Sequence, residues 1–136
     1  MKPVFQTRFH LPGEPPGNCF PACIASLLEV SISDVPQPGI DDKDDWSEYW
    51  TRLGAWLEGL GFHLIQVSPG WWSTSVMSES ESDLWIGSGP GPRGHRHSVV
   101  MRGAGFLVHD PHPSGVGLLE VDDREYLVPL DVCVSY

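Results

Sequence analysis

Basic side chains are scarce in this chain: 8 lysines and arginines stand against 18 aspartates and glutamates, a formal charge of -10. Phosphate binding needs a basic surface, so no nucleic-acid partner is expected. Long apolar runs are missing as well; none approaches the roughly 20 residues of a membrane span. The opening Met1-Lys2-Pro3-Val4-Phe5-Gln6 lacks the apolar centre of a secretory signal. No membrane partner is expected, and a cytoplasmic setting is the default. Cysteine is sparse at 3 residues, an odd number without secretory context, which argues for free thiols and against a disulfide framework. Cys19 and Cys23, four apart, lack a second pair to complete a zinc site. Internal repeats and low-complexity tails are absent too.

Turn formers and aromatics, by contrast, are plentiful. The chain has 15 glycines and 13 prolines, which imply many fixed turns and short elements. Hydrophobic content of 40% with 6 tryptophans argues for a packed globule, and 136 residues suit a single domain over 1–136. The acidic runs Asp41–Asp45 and Glu79–Asp83 read as solvated loop.

The stretch Gly17-Asn18-Cys19-Phe20-Pro21-Ala22-Cys23-Ile24-Ala25-Ser26-Leu27-Leu28 organises the rest. Proline fits an early helical position, where its missing N–H is no loss, so a helix is expected to begin close to Cys19. Beyond it Ser26 is the one clearly polar residue, which is the composition of a core helix. The amino end is then the part facing a cleft, where free N–H groups and the helix dipole favour negative charge. A thiol there is expected to ionise more easily than usual. Cys19 therefore reads as a nucleophile, whereas Cys23 and Cys133 read as packed apolar residues.

Elsewhere the pattern predicts a short strand over Val4–Phe9 and a turn at Ser33–Pro36. A second helix carries Tyr49, Trp50, Leu53, Trp56, Leu57 and Leu60, starting at the N-cap Ser47 and stopping at Gly61, with its aromatic stripe packed in the core. Strands are expected at Phe62–Val67, Leu84–Gly87, Gly117–Val121, Tyr126–Pro129 and Val132–Tyr136. Ser88–Gly94 reads as a glycine-rich loop without a phosphate-binding pattern. His97–Arg102 and Phe106–Pro111 form the clearest hairpin. A two-residue turn at Gly103-Ala104 sets His97 opposite Asp110, close enough for a carboxylate to orient an imidazole. A three-residue turn puts them on opposite faces unless a bulge restores the register.

A thiolate hydrolase needs a thiol at a helix start, an imidazole to move its proton, a group that fixes the imidazole, and oxyanion donors. Cys19, His97 and Asp110 fill the first three roles. The Cys19 N–H with either Gln6 or Asn18 fills the fourth. A rival reading takes His95, His97, His109, Asp110 and His112 as a zinc set, although their spacing matches no standard ligand pattern.

The order of these features resembles the papain-like cysteine peptidases, most closely the bacteriocin-processing, double-glycine leader peptidase branch. Cys19-Phe20-Pro21-Ala22-Cys23 matches its nucleophile motif, with Phe20 where the family usually has glycine. His97-Ser98-Val99-Val100 matches its histidine strand, and Asp110-Pro111 its aspartate. The resemblance implies an α+β, papain-like fold, with a buried N-terminal helix on a C-terminal antiparallel sheet, and neither metal nor organic cofactor. It implies a bacterial or phage cysteine hydrolase acting through an acyl-thioester on a peptide, protein or small amide, with acyl transfer open to the same triad. The alternative is a catalytically silent module of the same shell, an inhibitor or anti-defence factor of phage type.

Overall fold

A computed structural model describes residues 1–11, 17–39, 46–67 and 83–130. Helix α1 spans Cys19–Leu28, starting where Pro21 predicts, and its residues from Phe20 to Ser26 are buried. It stops at Glu29, whose φ of 58° is left-handed and whose N–H returns to the Ala25 carbonyl. A 3-10 turn follows at Ile32–Asp34, with the Ser31 hydroxyl accepting the Ser33 N–H. Helix α2 spans Trp46–Gly59. Gly61, at φ 90°, closes it with an N–H bonded to the Glu58 carbonyl, as its place in the sequence predicts.

Among the described residues, five strands form one antiparallel sheet: β1 Phe62–Val67, β2 Leu84–Pro90, β3 Arg96–Arg102, β4 Phe106–His109 and β5 Asp123–Pro129. Their order across the sheet is β1-β5-β2-β3-β4. Both helices cover one face, where Phe20, Cys23, Ile24, Tyr49, Leu53 and Leu57 pack with Ile86 and Val100. On the other face Trp85, Val99, Met101 and Tyr126 meet Leu118 and Val121 of the segment before β5. The architecture is α+β. Among the described residues no helix is long and apolar enough to cross a membrane.

Several expected elements come out differently. Val4–Phe9 is not a strand; it is extended chain held by α1 and the β4 end, with Val4 N–H bonded to the Ser26 hydroxyl and Gln6 N–H to the Pro111 carbonyl. The expected loop at Ser88 begins as strand, because Gly89 lets the 117–122 segment lie against β2. A Cβ there would collide with the Glu120 carbonyl oxygen. Gly117–Val121 is that covering segment and not a strand, tied by Leu119 N–H to Pro90 and, just beyond it, Asp122 N–H to Ser88. The hairpin turns on three residues, Gly103 to Gly105, so that Arg102 pairs with Phe106, one step off the two-residue register. A bulge beside Val100 then shifts the ladder again, to Val100 against His109. Two single-residue shifts restore the original parity, and His97 and Asp110 end on the same side. The expected strand Val132–Tyr136, with Cys133, lies outside the described residues.

Candidate functional site

The site begins with Asn18, which is 2% exposed and fully engaged. Its Oδ1 accepts the N–H groups of Thr7 and Arg8 at 2.9 and 2.8 Å, while its Nδ2 donates to Thr7 Oγ1 and Gln37 Oε1. The side chain staples the N-terminal segment to the helix start and makes no capping bond to α1. It has no N–H left for an oxyanion, which corrects the expectation for Asn18 and leaves Gln6.

With the cap vacant, the first N–H groups of α1 turn to the sulfur. Besides burial, the N–H and hydroxyl of Ser98 and the N–H groups of Phe20 and of Cys19 itself act on the Cys19 thiol, and these donors draw its pKa down. Burial nevertheless outweighs these donors, and the thiol is held above its ordinary pKa. This reverses the expectation drawn from the helix end alone: the dipole and N–H groups act in the predicted direction, but desolvation is larger.

His97 is 2% exposed and its Nε2 lies 2.6 Å from Asp110 Oδ1. The same carboxylate accepts the N–H groups of His112 and Gly117, each at 2.8 Å. Burial alone would raise the Asp110 pKa, but the imidazole and these two N–H groups outweigh it and keep the carboxyl ionised. An ionised carboxylate only accepts, so Nε2 carries the proton and Nδ1 a lone pair. Burial holds the imidazole below its ordinary pKa in spite of Asp110. Alternation in β3 puts Ser98 and Val100 on the α1 side and His97, Val99 and Met101 on the other. Ser98 consequently meets the sulfur, and the imidazole is not among its hydrogen-bond partners. Because His97 stands near the strand's start, it still lines the same cleft as Cys19.

That cleft, of about 530 Å³, also receives Gln6. Gln6 donates through Nε2 to the Arg8 carbonyl at 3.0 Å, and its buried Oε1 has no partner among the described residues. One wall is aromatic: Phe20, Trp46 and Trp50 line it, with the Phe20 and Trp50 rings edge to face at 5.0 Å. Trp46 and Trp50 are 45% and 38% exposed. The aromatic stripe of α2 thus divides, with Tyr49, Leu53 and Leu57 in the core and the two tryptophans on the cleft. Their i, i+4 spacing, offset from the core stripe, was the available signal.

Sequence reasoning missed the floor. Ser88 and Ser98 face each other across β2 and β3, with their hydroxyls 2.8 Å apart, and Ser88 lies 3.2 Å from Glu125 Oε2. Glu125 is 3% exposed. Burial pushes its pKa up to about 7, against the hydrogen bonds of Ser88 and Gln66. The available signal for Ser98 was its place directly after His97; for Glu125, a charged residue in a strand between Arg124 and Tyr126, there was little.

The histidine cluster divides: His112 stays beside His97, with ring centroids 6.3 Å apart, and His109 turns away. His109 Nε2 bonds the Val4 carbonyl at 2.7 Å and His112 Nδ1 bonds Ser114. Among the described residues no group of three or more His, Cys, Asp or Glu side chains is placed to hold a metal ion. No family model, curated protein or solved structure matches this chain.

Proposed function

We propose that the protein is a cysteine hydrolase of papain-like type that cleaves an amide or ester by acyl transfer to Cys19. The observation that carries this reading is the shared cleft: a thiol at a helix start and an imidazole already oriented by a buried carboxylate open onto one space. Because the thiol is held up and the imidazole down in pKa, the pair rests uncharged, and the proton leaves during attack.

In the proposed step the sulfur adds to the substrate carbonyl as its proton passes to His97 Nδ1. The developing oxyanion takes the Cys19 N–H and the second Nε2 hydrogen of Gln6. His97 then protonates the leaving amine or alcohol, and water, deprotonated by the same imidazole, releases the acid from the thioester. Asp110 stays ionised throughout and holds the ring. The Gln6 Oε1, without a partner among the described residues, can accept an N–H from a peptide or small amide, and the tryptophan wall suits an apolar segment of it.

One observation favours a second reading, a binding module without turnover: the imidazole is hydrogen-bonded to Asp110 and no hydrogen bond joins it to the sulfur. Incubation with p-nitrophenyl esters and a pool of fluorogenic peptide amides, followed by intact-mass analysis, separates the two. The hydrolase requires turnover, an acyl group on Cys19, complete loss in Cys19→Ala, and a fall of roughly 100-fold or more in His97→Ala. Cleft binding with no Cys19-dependent turnover and no acyl adduct overturns it in favour of the module.

A further inference from the structure

We infer that Glu125 is a second, buried proton acceptor for Cys19, reached through the hydroxyls of Ser98 and Ser88. The inference rests on the reading of Cys19 as a nucleophile and adds a route that His97 does not share. Ser98, Ser88 and Glu125 are hydrogen-bonded in series, with 2.8 Å between the hydroxyls and 3.2 Å from Ser88 to the carboxylate, and the series ends at the Ser98 hydroxyl beside Cys19 on the same cleft. Each hydroxyl has one hydrogen, so the chain points in one of two directions. Either the thiol donates to Ser98, Ser98 to Ser88 and Ser88 to a carboxylate, or a carboxylic acid donates to Ser88, Ser88 to Ser98 and Ser98 to a thiolate.

Passing from the first arrangement to the second moves one proton per link. The S–H bond breaks and an O–H bond forms on Glu125, while each serine gives up one proton and gains another. Thiol plus carboxylate becomes thiolate plus carboxylic acid, with nothing added or lost. A carboxyl titrating near 7 is matched to such an exchange at neutral pH. Its surroundings come from every neighbouring element: Ser88 on β2, Gln66 on β1, Arg96 on β3, Asp123 on its own strand, and the thiol of Cys23 on α1. Both serines are 6% exposed. They occupy inward sheet positions where apolar side chains would pack without hydrogen-bonding demands.

The test is the pH dependence of Cys19 alkylation by iodoacetamide, followed by peptide mapping in a His97→Ala background so that the imidazole is out of play. The relay predicts a rise in rate near pH 7 that precedes the thiol's own titration. Ser88→Ala and Glu125→Gln lose that rise, drop about tenfold at pH 7.5, and rejoin the background protein once the thiol is fully ionised. A carboxylate that merely sits nearby repels a thiolate, so its removal in Glu125→Gln would speed alkylation. That opposite sign, or an unchanged profile in Ser88→Ala, overturns the relay. Near-ultraviolet circular dichroism identifies any variant that has not folded, and the other variant then decides. Alkylation needs no substrate. A protein that hydrolyses nothing yet shows the rise keeps the relay and loses the hydrolase; hydrolysis with Ser88→Ala unchanged does the reverse.

Discussion

Among the described residues two buried carboxyls lie near the cleft, and their surroundings drive them in opposite directions. Asp110 has three donors, and its folded-state pKa is below the unfolded value. Its contribution to stability is therefore present above the ordinary aspartate pKa and is lost as pH falls through the depressed one. Replacing it with alanine strands the His112 and Gly117 N–H groups and the imidazole, at a cost of roughly 2–4 kcal/mol near neutral pH. Urea unfolding at pH 7 measures this, and the gap from wild type narrows at pH 3. Glu125 has weaker support, and its folded pKa of about 7 is above the ordinary 4.5. The folded chain then holds the proton more tightly, so this group removes stability as pH rises from about 4.5 to about 7. Converted directly, that gap is roughly 3 kcal/mol. Glu125→Gln, neutral at every pH, is expected to be more stable than wild type at pH 8 by about 1–3 kcal/mol and equal to it at pH 4. Thermal melts at the two values check the sign, which is opposite to that for Asp110.

At the scale of elements, what was legible in the sequence is what is decided locally. Pro21 and the apolar run after it announce α1, and the Tyr49, Leu53 and Leu57 spacing closed by Gly61 announces α2, because capping and periodicity operate within a few residues. The hairpin was legible as a pair of strands, but its register was not. A three-residue turn and the bulge beside Val100 each move the ladder by one, and neither follows from the turn dipeptide that suggested the two-residue form. The segment before β5 was misread for a related reason. Its alternation resembles a strand, yet its place is fixed by Gly89, where it crosses β2 too closely for any side chain. Gly89→Ala is accordingly predicted to destabilise the protein by roughly 1–3 kcal/mol. It should also displace Gly117, whose N–H supports Asp110, so the His97 ring proton seen in the NMR spectrum should shift or broaden even where the fold persists. Helix α2 gives a contrasting pair. Leu53→Ala empties a core position and costs about 2–5 kcal/mol, whereas Trp50→Ala is expected to weaken ligand binding in the cleft and change the melting temperature far less.

Across the whole molecule, the site is assembled from parts far apart in the chain, which is why its members could be named singly while their connections could not. Cys19, His97 and Asp110 each stand in a recognisable local setting. The Ser98, Ser88 and Glu125 chain exists only because β5 lies between β1 and β2, an order that no local pattern encodes. The N-terminal segment has the same dependence. It is clamped by α1 through Ser26 and Asn18, and by the β4 end through the His109 bond to Val4 and the Pro111 bond to Gln6. This clamp, and not an intrinsic strand, brings Gln6 to the cleft. His109→Ala removes one jaw and is expected to cost about 1–2 kcal/mol, with faster amide hydrogen exchange at Val4 and Gln6. Its kinetic signature should be a split. Alkylation of Cys19 depends on α1 and β3 and should change little, while the proposed ester and amide turnover should fall, because the Gln6 side chain proposed as oxyanion donor is no longer held against the helix start. An equal fall in both would mean that the clamp supports the whole site and that Gln6 has no part in the oxyanion position.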